Sequence, residues 1–164
     1  MKTLFFFFFL LPFATKSGTI PTKPQTELSA RGEILKRISN KKVSTFFNRI
    51  WNDAVFVSKE YKIPLALVLS QAAQESGWGT SKNCRLNNNY FGVRSNGEYH
   101  VYSCQYESFV DYGANVLGSK CYKGCNSLDE WFYRLECCYY ASDKGYVKRL
   151  KQIIKQYNLN LLCE

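Results

Sequence analysis

The sequence predicts an α+β domain that is mostly helical and contains one small β-hairpin. Apolar residues recur at helical spacing through most of the 164-residue chain. The period changes over 91–102, where the strand-like runs FGVRS and EYHVY flank Asn96 and Gly97. Because an Asn-Gly pair between two such runs is typical of a two-residue hairpin turn, one hairpin should interrupt the helices.

The two helices predicted before the hairpin have the clearest signals. Apolar residues at alternating steps of four and three predict an amphipathic helix over 43–61. The next helix should cover 63–75, because Pro64 suits a first turn and the residues that follow are mostly strong helix formers. Gly77 is a stop signal for this helix. The polar residues over 83–90 are predicted to form a loop.

Three helices are predicted after the hairpin. Helical spacing returns over 108–117, and Ser127 and Glu130 form a capping-box pattern that opens the next helix. The final helix should cover 146–157. This layout allows a groove, with the hairpin as one wall and the helical body as the other.

A single carboxylate, Glu75, is the strongest candidate for a chemical role. It ends the helix over 63–75, where unpaired carbonyls carry partial negative charge. That charge, together with burial against Val68, Ala72 and the ring of Trp78, would raise the pKa of the carboxyl. Glycosidic-bond cleavage requires an acid that keeps its proton near neutral pH. The alternative is a solvated glutamate at a frayed helix end, but the segment has almost no other charge, which favours function.

Aromatic side chains are candidates for the groove lining, because extended polymers bind in grooves lined by rings and polar groups. The candidates are Trp78, Tyr90, Phe91, Tyr99, Tyr139 and Tyr140. The alternative for each ring is packing in the core, where most rings lie in a chain this rich in tyrosine and phenylalanine.

The N-terminal sequence has the form of a secretory signal over 1–18, with an early lysine and an apolar stretch too short to span a bilayer. A flexible lead-in should cover 19–32, and the catalytic domain 33–164. We therefore expect export to the periplasm, cell wall or extracellular space, with no stable membrane insertion after removal of the signal. Separately, we expect a monomer.

Seven cysteines in an exported chain favour disulfides, and the odd number leaves one cysteine without an intramolecular partner. The sequence does not determine the pairing. Metal binding is disfavoured, because His100 is the sole histidine and no Cys-x-x-Cys pair is present. No cofactor is expected.

The net charge of +9 has three interpretations. Nucleic acid is one candidate partner. An exported protein is instead expected to meet an anionic cell wall, where a positive field raises encounter rates. Ordinary solvated helix faces explain the charge equally well. We expect the partner to be the cell wall and not nucleic acid.

Four ordered sequence blocks resemble a known family. They are QAAQESGWGTS over 71–81, NNNYFGV over 87–93, YESFVDY over 106–112 and YASDKGYVKRL over 140–150. Together they are similar to the bacterial endo-β-N-acetylglucosaminidases of autolysins and flagellar-assembly peptidoglycan hydrolases, over about 43–159. The resemblance implies a lysozyme-like α+β fold with a groove for glycan strands. It also implies cleavage of the β-1,4 bond after N-acetylglucosamine in peptidoglycan.

The resemblance further implies roles for particular residues. Glu75 would be the catalytic acid, and Tyr140 would lie near it and support activity. Trp78 and the block that contains Asn89 and Phe91 would help to build the groove. We also expect Tyr139, the ring next to Tyr140, to bind substrate.

The hairpin is short for the family, and members that use a second carboxylate often place it on a longer hairpin. Glu98 is the candidate for that second catalytic group, with a solvated residue at the hairpin tip as the alternative. Glu107 and Asp111 are fallbacks. The cysteine content is also unusual for the family. Two other functions stay open: a muramidase or lytic transglycosylase on the same fold, and a secreted glycan-binding protein without activity.

Overall fold

The computed structural model describes residues 23–162, so the predicted secretory signal lies outside the described residues. Within this range the chain forms seven α-helices: α1 (Lys23–Arg37), α2 (Lys41–Tyr61), α3 (Leu65–Ser76), α4 (Lys82–Asn87), α5 (Gln105–Asp111), α6 (Leu128–Cys137) and α7 (Tyr146–Gln156). A π-helix (Tyr112–Val116) continues α5, and 3-10 helices cover Lys120–Tyr122 and Leu159–Leu162. The predicted architecture, a mostly helical α+β domain with one hairpin, is confirmed.

The core is built around α3, in which every residue from Leu65 to Ala73 is buried. Its sequence is apolar on nearly all faces, so it is stable only when other helices surround it. Both α2 and α7 contact it, and each presents an amphipathic face with buried residues such as Phe47 and Leu150. This packing fixes the C-terminal end of α3 against the body of the domain.

The hairpin lies between α4 and α5 and has strands of only two residues each. Strand β1 (Arg94–Ser95) pairs antiparallel with β2 (Glu98–Tyr99). The turn between them has φ of 51° at Asn96 and 82° at Gly97, the left-handed pair that a type I′ turn requires. The predicted hairpin is therefore present, with shorter strands than the run of strand-forming residues suggested.

Three local predictions need correction. The predicted lead-in is helical from residue 23 onward, because α1 docks on the domain through the buried Ile34 and through a hydrogen bond from Arg31 Nη2 to Asn48 Oδ1 (2.8 Å). The predicted loop over 83–90 begins with α4, since the hydroxyl of Ser81 caps its first turn. The helix predicted over 108–117 begins three residues earlier and changes to a π-helix at Tyr112.

One disulfide is present among the described residues, between Cys121 and Cys138. It confirms the expectation of disulfide bonding for that pair and joins the first 3-10 helix to the end of α6. The other four cysteines within 23–162 are thiols: Cys84, Cys104, Cys125 and Cys137. Between residues 23 and 162 no helix combines the length and apolar character needed to cross a bilayer. The same range contains no group of three potential metal ligands.

Candidate active site

Glu75 lies in the last turn of α3, where the sequence predicted it. Its side chain is half-buried, and burial raises the pKa of its carboxyl above the ordinary value of 4.5. Two groups act in the opposite direction: a hydrogen bond with the Tyr146 hydroxyl and the positive charge of Arg149 each lower that pKa. Burial is the largest of these effects, so the carboxyl keeps its proton to a higher pH than a solvated glutamate does.

A buried polar network orients the acid from below. The Gln71 side chain, fully buried one turn before Glu75, donates from Nε2 to the Tyr146 hydroxyl at 3.0 Å. Its Oε1 accepts a hydrogen bond from the hydroxyl of Tyr112 at 2.5 Å. Tyr146 therefore accepts from Gln71 and has its own proton left for the Glu75 carboxylate. Because every member of the network has a partner, Glu75 is held in one orientation.

The acid faces a cleft of about 640 Å³. The cleft is lined by Glu75, by 91–94 at the base of the hairpin, and by Val116, Ser119, Cys121, Tyr122 and 138–142 on the other side. The Cys121–Cys138 disulfide is part of that second side and ties two of its segments together. The predicted groove between hairpin and helical body is therefore present.

Gly92 brings the hairpin base next to the acid. Its φ of +65° is the left-handed conformation that favours glycine, and a β-carbon here would lie 3.5 Å from Glu75 Oε2. The main chain thus passes close over the carboxyl and contributes to its burial.

Three of the predicted residues line this cleft with Glu75. Tyr140 packs its ring against that of Tyr146, with centroids 5.3 Å apart. Burial and the charge of Glu75 raise the pKa of the Tyr140 hydroxyl well above its ordinary value, so it stays a neutral O–H donor. Phe91 is buried and stacked on Tyr112 at 3.8 Å, whereas Tyr139 is 86% exposed at the rim.

Four predicted groove residues are not among those that line the cleft: Trp78, Asn89, Tyr90 and Tyr99. Tyr90 is buried against Phe109, and the exposed ring of Tyr99 lies under the Arg94 guanidinium on the hairpin.

Trp78 packs between α2 and the C-terminal end of α7, with its ring 5.5 Å from Phe47 and 5.2 Å from Tyr157. Its left-handed backbone (φ 60°) follows the reversal at the end of α3 and directs the ring into the core, away from the cleft. This ring is therefore not among the residues that line the cleft, and its role in substrate binding stays a prediction.

Asn89 is 1% exposed and does not line the cleft. Its Nδ2 donates to the carbonyls of Val93 (2.9 Å) and His100 (3.0 Å), and its Oδ1 accepts from the Val93 N–H (3.0 Å). Since all of these bonds go to the main chain on both sides of the hairpin, Asn89 positions the hairpin, and its predicted contact with substrate stays a prediction.

The candidates for a second carboxylate are not brought to the cleft lining. Glu98 is exposed on β2, and its catalytic role stays a prediction. Glu107 accepts a hydrogen bond from the Ser103 N–H at 2.9 Å, as a helix-capping residue does. Asp111 accepts from the Tyr102 hydroxyl and from Asn115 Nδ2 behind the hairpin.

The sequence interpretation did not identify Gln71, Tyr146 and Arg149 as site residues. Gln71 had a local signal, because it is a buried amide four positions before Glu75 on the same helix face. Tyr146 and Arg149 share a face of α7, at i and i+3, but only the tertiary packing of α7 on α3 brings them to the acid. Arg149 also contacts the neighbouring Gln74, whose amide oxygen accepts from its Nε at 2.6 Å.

Comparison with known proteins identifies the family to which this chain belongs. The family described as mannosyl-glycoprotein endo-beta-N-acetylglucosaminidase matches residues 51–159, about two thirds of the chain, including Glu75 and Tyr140. The chain belongs to this glucosaminidase family. The membership agrees with the resemblance that the four sequence blocks indicated.

Among curated relatives, the peptidoglycan hydrolase FlgJ of Salmonella typhimurium is 28% identical over 142 residues, which is 68% of this chain and 45% of FlgJ. The chain therefore spans about half the length of the FlgJ proteins that it matches. Protein bax of Escherichia coli is 59% identical, but over only 32 residues, which is 20% of this chain and 12% of that protein.

Solved structures share the fold. The glycoside hydrolase domain of Salmonella typhimurium FlgJ has a TM-score of 0.60 at 26% identity, covering 71% of this chain and 88% of that one. The catalytic domain of the autolysin Auto from Listeria monocytogenes has a TM-score of 0.63 at 21% identity, covering 80% and 94%. The predicted lysozyme-like α+β fold is confirmed by this likeness.

Proposed function

We propose that this glucosaminidase-family chain hydrolyses peptidoglycan glycan strands, and that Glu75 is the general acid that cleaves the β-1,4 bond after N-acetylglucosamine. The observation that carries the proposal is a half-buried carboxyl with a raised pKa, facing an open cleft beside the neutral hydroxyl of Tyr140. The printed activity of the FlgJ relative, a peptidoglycan hydrolase, supports the choice of substrate.

In the proposed reaction Glu75 donates its proton to the oxygen that leaves as the glycosidic bond breaks. The Tyr146 hydroxyl then stabilises the carboxylate that remains, since it donates a hydrogen bond to the charged form. The Tyr140 hydroxyl donates to the sugar next to the broken bond. Tyr139 offers an exposed ring surface to the strand, whereas the buried ring of Phe91 supports the floor of the cleft.

The route of the second step, attack at the anomeric carbon, depends on which carboxyl groups line the cleft. Among the described residues that line it, Glu75 is the only one with a carboxyl group. We therefore favour attack assisted by the substrate's own N-acetyl group, which retains the anomeric configuration and needs no second protein carboxylate. The other route uses Glu98 as base for a water molecule and inverts the configuration. Full activity of Glu98→Gln would support the first route, and loss of turnover would support the second.

Digestion of purified peptidoglycan tests the proposal, with mass spectrometry of the released fragments. We expect reducing ends of N-acetylglucosamine, and a loss of about 10²–10⁴-fold in rate for Glu75→Gln. The control is Glu60→Gln, an exposed carboxyl on α2, which should digest at the parental rate. Reducing or anhydro N-acetylmuramic acid would instead indicate a muramidase or a lytic transglycosylase. Wall binding without release of fragments would indicate a glycan-binding protein.

The substrate also bears on location. Peptidoglycan lies outside the cytoplasm, so the proposed activity requires export, in agreement with the signal predicted over 1–18. We propose that the protein acts in the periplasm, cell wall or extracellular space as a monomer. Fractionation of producing cells, with the activity followed in each fraction, tests the location, and sedimentation of the purified protein tests the monomer.

A further inference from the structure

Arg94 is the only cationic residue among the described residues that line the cleft. It lies on β1 and pairs in register with Tyr99 on β2. Its guanidinium stacks over the Tyr99 ring at 3.6 Å from the centroid. Stacking uses one face of the planar group and leaves its in-plane N–H donors available. Within the described part of the chain these donors make no hydrogen bond to a protein acceptor and no ion pair with a carboxylate.

The position of Arg94 relative to the acid is well defined. Gly92 passes next to Glu75, and two residues of chain span at most about 7 Å. Asn89 fixes the hairpin base through its main-chain bonds, and the Ser95 hydroxyl lies 2.9 Å from His100 Nε2 across the hairpin. Arg94 therefore lies on the hairpin side of the cleft that Glu75 faces, two residues from Gly92.

Arg94 is not among the groups that shift the pKa of Glu75. The cation that lowers the pKa of Glu75 is Arg149, which reaches the carboxyl from α7. A guanidinium held by one face, with free in-plane donors, has the geometry that binds a planar carboxylate through two parallel hydrogen bonds. A neutral polymer of N-acetylglucosamine offers no such group.

We propose that Arg94 binds a carboxylate of the glycan strand and selects peptidoglycan over neutral polymers of N-acetylglucosamine. The carboxylate is that of the lactyl group on muramic acid residues without a stem peptide, or one of the stem peptide's own carboxylates where the peptide is attached. This inference rests on the proposed function, because it assigns a specificity residue to the same cleft.

The test measures binding of soluble glycan strands by calorimetry in the Glu75→Gln background, where the strands stay intact. Three probes are compared: strands stripped of peptides by an amidase, the same strands with their lactyl carboxyls converted to neutral methylamides, and strands that keep their stem peptides. Arg94→Ala is compared with Arg85→Ala, an exposed arginine on α4 outside the cleft, because each substitution removes one positive charge.

We expect Arg94→Ala to raise the Kd for carboxylate-bearing strands about tenfold over Arg85→Ala, with no difference between the two variants on amidated strands. Arg94→Lys keeps the charge without the planar fork and should recover only part of the affinity. A loss on stripped strands identifies the lactyl carboxylate, and a loss confined to peptide-bearing strands identifies the stem peptide.

Equal Kd values for Arg94→Ala and Arg85→Ala on every probe would overturn the inference, and so would a loss of affinity that persists on amidated strands. The proposed function is checked separately by turnover of the parental protein on the stripped strands. If the parental protein cleaves them and the two arginine variants bind alike, the inference fails while the proposed function stands. If the parental protein cleaves nothing, the proposed function fails, whatever the two variants bind.

Discussion

The two walls of the cleft differ in what holds them in place. The wall that carries Glu75 is the end of α3, a helix buried continuously from Leu65 to Ala73. The hairpin wall has strands of two residues, and all four strand residues are exposed. Side-chain hydrogen bonds from Asn88 and Asn89 to its main chain tie it to the segment that follows α4.

This difference separates two properties of the cleft. Displacement of Glu75 requires disruption of the core, so the position and protonation of the acid depend on the stability of the whole domain. The hairpin can loosen without global unfolding, because its strands are short and exposed. Substitutions in the first wall should therefore change the chemistry, and substitutions in the second should change the local order of the cleft.

The largest effect on stability is expected from Asn89→Ala. It removes three hydrogen bonds from a buried site and should lower the free energy of unfolding by about 2–3 kcal/mol. Amide hydrogen exchange over 91–102 should accelerate more than exchange in α3. The matched control is Asn87→Ala, whose side chain bonds only to Asn83. Unchanged protection of the hairpin in Asn89→Ala would contradict the difference between the walls.

A smaller effect, on activity alone, is expected from Tyr140→Phe. The substitution keeps the ring that packs on Tyr146 and removes the hydroxyl proposed to contact the sugar. We expect kcat to fall about tenfold, the contribution of one hydrogen bond in the transition state, with the midpoint of thermal unfolding nearly unchanged. Tyr133→Phe, which removes an exposed hydroxyl on α6, is the control. Equal kcat values for the two variants would remove Tyr140 from the mechanism.

A shift in pH dependence is expected from Arg149→Gln. The positive charge of Arg149 lowers the pKa of Glu75, so its removal should raise that pKa further. A general acid works only while it is protonated, and the fall in kcat/KM on the alkaline side should therefore move to higher pH. Lys148→Gln removes a charge from the neighbouring exposed position and should leave this limb in place. A shift to lower pH in Arg149→Gln would contradict the electrostatic assignment.

Strong local signals in the sequence predicted α3, which carries Glu75, and also α6 and the hairpin. The apolar run of α3, with Pro64 before it and Gly77 after it, placed Glu75 in the last helical turn, and the capping pattern at Ser127 opened α6. The Asn96-Gly97 pair located the hairpin. The sequence did not indicate that α1 is helical, since Pro24 and the polar residues near it are typical of linkers. Its docking depends on tertiary contacts such as that of Ile34.

The site was only partly predictable for the same reason. The hydrogen bond between Gln71 and Tyr146 joins residues 75 positions apart, and no spacing rule connects them. Trp78 was assigned to the groove from its aromatic ring and from the family resemblance, but the left-handed backbone at this residue directs its ring toward Phe47. Local sequence therefore located the acid, and the tertiary structure determined which groups surround it.

The account depends on a proton that burial keeps on Glu75, and a carbon-13 NMR titration of the side-chain carboxyls measures it directly. The Glu75 signal is assigned by its loss in Glu75→Gln. We predict a midpoint above the ordinary value of 4.5. A midpoint at or below 4.5 would show that the ionised form is not penalised, and it would contradict the assignment of Glu75 as the general acid.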